Sequence, residues 1–251
     1  MKRSVRSSLA LGALLLALLK PFALAAEPVD LLLVLAADVS RSVNPEKFQL
    51  QREGYADAIS NPRVLAAIRS GLNGRIAVCF VEWSGLGAQD VVIEWSIIDG
   101  PDAARKFGSR LIESPRSFAD RTSISGGIDF AVAQLASAPH EANRRTIDVS
   151  GDGTNNAGRA PSLARDEALA QGITINGLVI LSDLPLAWNP EHTNPPEGLA
   201  NYYRNNVIGG PGAFVIKAKD FNSFGQAIVN KMVAEIAQGA PSNQAGTLAQ
   251  R

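Results

Sequence analysis

Residues 31–42 have the sequence LLLVLAADVSRS, and they indicate the fold class. The first seven are apolar without interruption, which is typical of a strand covered on both faces, as in a parallel sheet. The run stops at Asp38, and Ser40 and Ser42 follow at a spacing of two. Asn44-Pro45 then has the form of a helix start, with a capping side chain before a proline. A buried strand that ends in polar residues and leads into a helix is the first unit of an α/β fold.

The rest of the chain repeats this alternation. Further strands are predicted at 75–82, 90–97, 145–149, 173–181 and 213–217. Amphipathic helices are predicted after Pro45, Pro101, Ser123, Pro161 and Asp220, with Asp220 as the cap of the last. A Pro- and Asn-rich stretch from Ser182 to about Gly212 is predicted to be irregular. The fold class is therefore α/β, a single doubly wound, mostly parallel sheet flanked by helices, over residues 26–238.

Ligands of such sheets bind at the carboxyl ends of the strands, so the polar residues there are the candidates for a site. Asp38, Ser40 and Ser42 follow the first strand, and the spacing of two directs alternate side chains to a common side. Thr122 lies in a loop before a helix, and Asp152 ends a later strand between two glycines. Carboxylate and hydroxyl oxygens are hard donors suited to Mg²⁺, Mn²⁺ or Ca²⁺.

These five residues resemble the metal-ion-dependent adhesion site (MIDAS) of the von Willebrand factor A (vWA), or integrin I-like, family. That site consists of Asp-x-Ser-x-Ser, a later Thr and a strand-ending Asp-Gly, matched here in order by Asp38, Ser40, Ser42, Thr122 and Asp152. The stretches Leu199–Tyr203 and Asn206–Phe214 resemble an uncharacterised group of exported bacterial vWA-like proteins. Val39 stands where the family commonly has Gly, which affects the shape of the loop more than its ligands.

The resemblance implies a mechanism. Ser40, Ser42 and Thr122 would contact a divalent cation, most simply Mg²⁺, and Asp38 and Asp152 would complete its shell. A cation with few anionic ligands keeps positive charge, so it can accept an acidic group of a protein partner. The resemblance thus predicts a metal-dependent, adhesion-type binding module that is not an enzyme. An envelope assembly factor with a purely structural metal is the first alternative.

The N-terminus predicts export. Lys2, Arg3 and Arg6 precede an apolar run at 9–19, and Ala23-Leu24-Ala25 has the form of a signal-peptidase site. The run is too short to span a bilayer, so residues 1–25 are interpreted as a cleaved signal peptide, an uncleaved anchor being the alternative. The mature protein is expected to be periplasmic or secreted, without stable membrane insertion. The small, polar tail at 239–251 is expected to be disordered.

Charge and cysteine content argue against two other classes of protein, nucleic-acid binders with a basic surface and disulfide-linked domains. Lys and Arg total 24, as do Asp and Glu, and removal of the signal leaves a net charge of −4. No broad basic field is available for nucleic acid. The single Cys79 excludes an intrachain disulfide and lies in an apolar strand, where it is interpreted as inert core.

A phosphatase is the enzymatic alternative. The run GDGTNN at 151–156 resembles a motif of haloacid-dehalogenase-type phosphatases, and Asp38 follows a strand as their nucleophile does. That chemistry needs an acid two residues later, where Ser40 stands, and a lysine for the phosphate. No Lys lies between Thr122 and Asp152.

Each candidate site residue could instead have a purely structural role. Asp38 and its serines could form a metal-free capping turn, Thr122 could cap the following helix, and Asp152 could be a turn residue. The two histidines, His140 and His192, are predicted to lie in loops. Four side chains of the 182–212 stretch are interpreted either as partner contacts or as residues that hold down a long loop: Trp188, His192, Tyr202 and Tyr203.

Overall fold

A computed structural model describes residues 27–182, 186–187 and 189–238. Within these residues the strands are β1 (Leu32–Asp38), β2 (Ile76–Trp83), β3 (Gln89–Ile98), β4 (Arg145–Gly151), β5 (Thr174–Ile180) and β6 (Val215–Ala218). The helices are α1 (Pro45–Ser60), α2 (Pro62–Arg69), α3 (Pro101–Glu113), α4 (Ile124–Ala136), α5 (Pro161–Ala170), α6 (Pro190–Thr193), α7 (Leu199–Asn206) and α8 (Phe224–Ala237). The predicted signal peptide and tail lie outside the described residues, as does Trp188.

The strands form one sheet in the order β3-β2-β1-β4-β5-β6. Every neighbouring pair is parallel except β2 and β3, which are antiparallel. This antiparallel edge pair follows from the short connection at 84–88, because a parallel pair would need a long crossover. The predicted α/β, doubly wound, mostly parallel sheet is confirmed.

The central strand β1 explains why the opening apolar run is continuous. Leu33, Leu35 and Ala37 pack into the apolar cluster on one face, while Leu32 and Val34 pack into the cluster on the other. Helices α1, α2, α3 and α8 cover the first face, and α4, α5 and α7 cover the second. Because both faces of β1 are covered, an alternating polar position has no place in it.

The order of the strands places the switch point beside β1. From β1 the chain proceeds to β2 and β3 on one side, and then to β4 on the other side. Connections that leave in opposite directions open a crevice at the carboxyl ends of the two strands. Asp38 ends β1 and Asp152 directly follows β4, so two of the candidate site residues lie at this crevice.

Two parts of the prediction for the C-terminal third are wrong. The stretch 182–212 is not irregular throughout, because Leu199 and Tyr203 lie one turn apart and pack into the core as part of α7. No capping side chain marks the start of this eight-residue helix, so the sequence carries little signal for it. Asp220 accepts a hydrogen bond from Ser223 N at 2.8 Å in a turn, and α8 begins only at Phe224.

His192 was expected in a loop and instead lies in the short helix α6, where it is buried. Cys79 is fully buried in β2, as expected. In the part of the chain that the structure describes, no helix combines the length and hydropathy needed to cross a membrane.

Candidate metal site

The loop after β1 places its polar side chains at the crevice. Val39 N donates to Trp83 O at 2.9 Å, which continues the pairing with β2 by one residue, and Val43 N then closes a turn onto Ser40 O at 3.0 Å. Asp38 Oδ1 accepts a hydrogen bond from Ser40 N at 2.7 Å. Asp38, Ser40 and Ser42 are all buried, although their side chains are polar. Asn44 caps α1 by accepting from Lys47 N, so these three side chains are not needed for capping.

Direct contacts join this loop to Asp152. The Oγ atoms of Ser40 and Ser42 are 3.0 Å apart, and Ser42 Oγ donates to Asp152 Oδ1 at 2.5 Å. The second oxygen of Asp38, Oδ2, is buried and has no hydrogen-bond partner. A buried carboxylate oxygen without a partner is costly unless a cation or a proton satisfies it. The structure therefore gathers four of the five candidates around an unsatisfied acceptor.

Thr122 is positioned by the segment that follows Asp152. Asn156 Oδ1 accepts a hydrogen bond from Thr122 N at 2.9 Å, and Asn155 Oδ1 accepts one from Ile124 N at 2.8 Å. Ser123, rather than Thr122, caps α4 by accepting from Gly126 N. The interpretation of Thr122 as a helix cap is thus wrong, because its neighbour has that role. The two asparagines that resemble a phosphatase motif serve to hold this loop.

A cavity of about 280 Å³ opens over these residues. It is lined by Ser42 and Thr122 from the candidate site, by Asn156 and His192, and at its rim by Arg41, Asp120 and Arg121. Arg41 and Arg121 are exposed, and Arg41 pairs loosely with Asp120 at 3.6 Å. Thr122 therefore shares a cavity with Ser42, and the mouth of that cavity carries two arginines.

Burial and charge make Asp38 unusual. Burial raises the pKa of Asp38 to about 7, and the neighbouring carboxylate of Asp152 adds to the rise. Two carboxylates in one buried site repel each other, so each is stabilised by an added cation. Two cationic side chains lie close to the candidate site. Arg116 donates to the carbonyl oxygens of Val39 and Ser40. Lys47 Nζ lies 3.5 Å from Asp152 Oδ2. The sequence reasoning assigned neither of them to the site.

A buried ion pair supports the loop that leads to Thr122. Arg52 donates to Glu82 Oε1 from two nitrogens, at 3.0 and 2.5 Å, and Glu82 Oε2 accepts from Ser117 N at 2.8 Å. Phe48 and Phe80 flank the guanidinium, whose carbon lies 4.9 and 5.5 Å from the ring centroids. A signal for this support was present in the sequence, since Glu82 is a charged residue in an otherwise apolar strand.

The residues fit a hard divalent cation. Three hydroxyls and two carboxylates supply the oxygen donors that such ions take, and Asp38 Oδ2 lacks any other partner. Among the described residues, no group of three or more His, Cys, Asp or Glu side chains is arranged to hold a metal. A metal centre built from three or more acidic, thiolate or imidazole ligands is therefore absent from the described residues. The candidate site is of another kind, because three of its five donors are hydroxyls.

The aromatic side chains of the 182–212 stretch are only partly available to a partner. Tyr203 is fully buried and His192 nearly so, whereas Tyr202 is half-buried and its hydroxyl accepts a hydrogen bond from Asn155 N. Tyr203 Oη has no partner, and burial beside Asp38 raises its pKa well above the ordinary value. Burial also lowers the pKa of His192. Tyr203 and His192 are therefore packing or site residues rather than surface contacts.

Comparison with known proteins identifies the fold. A family model described as "Protein of unknown function (DUF1194)" matches residues 28–240. The pilus adhesin SpaC from Lactobacillus rhamnosus GG superposes with a TM-score of 0.58 at 12% identity, over 86% of this chain and 31% of that one. Proximal thread matrix protein 1 from the mussel byssus, with a zinc-occupied MIDAS motif, gives a TM-score of 0.56 at 17% identity, over 84% and 49%.

A von Willebrand factor type A structure from Catenulispora acidiphila gives a TM-score of 0.53 at 14% identity, over 84% of this chain and 43% of that one. The chain thus spans less than half the length of each of these three proteins. No curated protein matches it. At these identities the similarity shows the fold, and the fold is that of a vWA domain.

Proposed function

The chain belongs to the DUF1194 family and has a vWA fold, and we propose that it binds a protein partner through a divalent cation at the crevice between β1 and β4. Ser40, Ser42 and Thr122 would hold the cation, and Asp38 and Asp152 would complete its shell. The observation that carries this proposal is the buried, mutually bonded set of Asp38, Ser40, Ser42 and Asp152, in which one oxygen of Asp38 has no partner. Buried polar groups are normally hydrogen-bonded, so the unpartnered oxygen in this set calls for an explanation, which a bound cation would supply.

The partner group is proposed to be a carboxylate. When bound, the cation supplies a positive charge that can accept an oxygen of an acidic side chain. Arg41 and Arg121 stand at the mouth of the cavity and attract the same charge. Asp120 at the rim pairs with Arg41, which leaves Arg121 as the rim cation without an ion pair to Asp120, and Ser42 and Thr122 line the wall as neutral side chains. The two arginines outnumber this acid at the rim, so an acidic partner still meets net positive charge there.

Export is part of the proposal. Residues 1–25 would be removed as a signal peptide, residues 26–238 would form the vWA domain, and residues 239–251 would be a disordered tail. A periplasmic or secreted location suits a module of this kind, and Mg²⁺ is the first candidate for its ion on the basis of the oxygen donors.

No enzymatic activity is proposed. Lys47 does bring an ammonium group to Asp152, as a phosphatase of the haloacid dehalogenase type would require. Ser40 nevertheless stands where that chemistry needs a carboxylic acid to protonate the leaving group, and a serine hydroxyl is far too weak an acid for this role.

Capture of partners from an extract of the cell envelope tests the proposal. The purified protein is immobilised, and capture is compared in Mg²⁺ and in EDTA, with Asp38→Asn as the test variant. Asp99→Asn, a change at an exposed acid outside the site, is the control. We expect the wild type and the control to capture a partner protein in Mg²⁺ and to release it in EDTA. The Asp38→Asn variant should not capture that partner. Capture that is unchanged in EDTA would instead favour an assembly factor whose metal is only structural.

A further inference from the structure

A lysine side chain pairs with one of the two acids of the candidate site. Lys47 Nζ lies 3.5 Å from Asp152 Oδ2 and donates a hydrogen bond to Ser42 O at 3.0 Å. The ring of Phe221 also contacts the ammonium group, with 4.9 Å between Nζ and the ring centroid. The side chain of Lys47 is 26% exposed and that of Asp152 only 1%. The ammonium group is thus directed toward a buried acid rather than extended into solvent.

The two acids differ in how their oxygens are satisfied. Asp152 Oδ1 accepts a hydrogen bond from Ser42 Oγ at 2.5 Å, and Asp152 Oδ2 faces Lys47. Asp38 Oδ1 accepts from Ser40 N, whereas Asp38 Oδ2 has no hydrogen-bond partner. The ammonium group therefore satisfies one carboxylate, and an acceptor of the other carboxylate remains open.

The place of Lys47 in α1 is unfavourable for the helix itself. Lys47 is the third residue of α1 and lies in its first turn, directly after the Asn44 cap and Pro45. The unpaired N–H groups of a first turn carry partial positive charge, so a cationic side chain is disfavoured there. Its ion pair with Asp152 offsets this cost. The acids of the site, rather than the helix, thus account for a lysine at this position.

We propose that Lys47 is a tethered cation that competes with the divalent ion for Asp152, so that it lowers the affinity of the site for the ion and leaves the loaded site more positive. The inference rests on the proposed function, because it assigns a further role at the same site. Like charges that share a poorly solvated site repel each other. A divalent ion and two carboxylates sum to zero charge, and Lys47 adds one positive charge. That excess attracts the carboxylate of a partner.

Calorimetric titration of Mg²⁺ and Mn²⁺ into Lys47→Gln and Lys47→Met tests the role of the charge. We expect the affinity for the ion to rise at least about fivefold in both variants, because the repulsion is removed. Glutamine keeps a hydrogen-bond donor for Ser42 O and methionine does not, so similar gains assign the effect to charge. Lys106→Gln, a change at an exposed lysine of α3, is the control and should match the wild type.

Urea denaturation of the same proteins gives a second readout. Without divalent ions, both Lys47 variants should unfold at lower urea concentrations than the wild type, because Asp152 has lost its cationic partner. Saturating Mg²⁺ should remove this difference, since the ion then compensates the acids. A lysine with a purely structural role would instead leave the variants destabilised to the same extent in both conditions.

The outcomes separate this inference from the proposed function. If the wild type binds the ion and either Lys47 variant binds it equally or more weakly, the role of Lys47 is overturned and the metal site stands. If only the Lys47 variants bind, Lys47 excludes the ion from the native site, and the proposed metal-dependent function is wrong. Absence of binding by all four proteins overturns both proposals.

Discussion

At the scale of single residues, the site depends on a glycine as well as on its polar side chains. Gly151 ends β4, and a Cβ there would lie 2.5 Å from Tyr203 Oη and 3.1 Å from Asp38 Oδ2. The bare backbone thus lets Asp38 and Tyr203 approach the end of β4 together, on the same side of the sheet. Neither Asp38 Oδ2 nor Tyr203 Oη has a hydrogen-bond partner, so the close approach at Gly151 involves two buried oxygens whose hydrogen bonds are unsatisfied.

Gly151→Ser tests this close approach. The added side chain must displace Tyr203 or Asp38, so we expect the free energy of unfolding to fall by about 1–3 kcal/mol, the usual cost of overpacking. Urea denaturation measures it. Gly100→Ser is the matched control, because nothing lies within 4 Å of its Cβ position and a serine suits the N-cap of α3. Equal stability of the two variants would contradict the packing described for Gly151.

At the scale of elements, a buried ionic cluster joins α8 to the sheet. Lys231 Nζ of α8 lies 2.7 Å from Asp148 Oδ1 of β4 and also contacts Glu235. Asn176 of β5 donates to Glu235 Oε1 at 2.9 Å, and all four residues are buried. Two acids face one ammonium, so the cluster carries an excess negative charge when both acids are ionised. Burial raises the pKa of Asp148 to about 7, and Glu235 adds to this rise while Lys231 opposes it.

This cluster predicts how stability depends on pH. The folded pKa of Asp148 lies above its ordinary value of 3.8, so the folded state binds the proton more tightly than the unfolded state. The stability that this group contributes is complete below about pH 4 and is lost as the pH rises through about 7. Between about pH 5 and pH 8 the wild type should therefore lose up to about 3 kcal/mol more than Asp148→Asn.

Urea denaturation at the two pH values measures this difference. Asp38 is present in both proteins, so its own contribution cancels. The exposed change Asp99→Asn should leave the wild-type profile intact. A profile of Asp148→Asn that parallels the wild type would show that Asp148 keeps its charge in the folded protein.

At the scale of the whole molecule, the central strands and the strand-end residues could be predicted from the sequence because they depend on local patterns. A continuous apolar run identifies β1, and the polar residues that follow it must lie at its carboxyl end. What could not be predicted depends on contacts between distant segments. His192 and Lys47 approach the site only through the packing of α6 and α1, and α7 is stabilised by burial of Leu199 and Tyr203 rather than by a cap.

The fold also explains why the charge balance indicated little about partners. The buried acids Asp38, Asp148 and Asp152 count toward the total but are absent from the surface, whereas Arg41 and Arg121 stand exposed at the cavity beside a single acid, Asp120. The local field at the crevice is therefore not that of the whole chain. A chain with equal numbers of acidic and basic residues can still present cations to an acidic partner.

Calorimetric titration of Mg²⁺ and Mn²⁺ into the purified protein tests the central claim most directly. We predict binding of a single ion by the wild type and by Asp99→Asn, and at least about a tenfold loss of affinity in Asp38→Asn, which lacks the unpartnered carboxylate oxygen. Bound ion should also raise the free energy of unfolding, by about 2.7 kcal/mol at one hundred times its dissociation constant. Equal heats for the wild type and Asp38→Asn would contradict a metal site at the β1–β4 crevice.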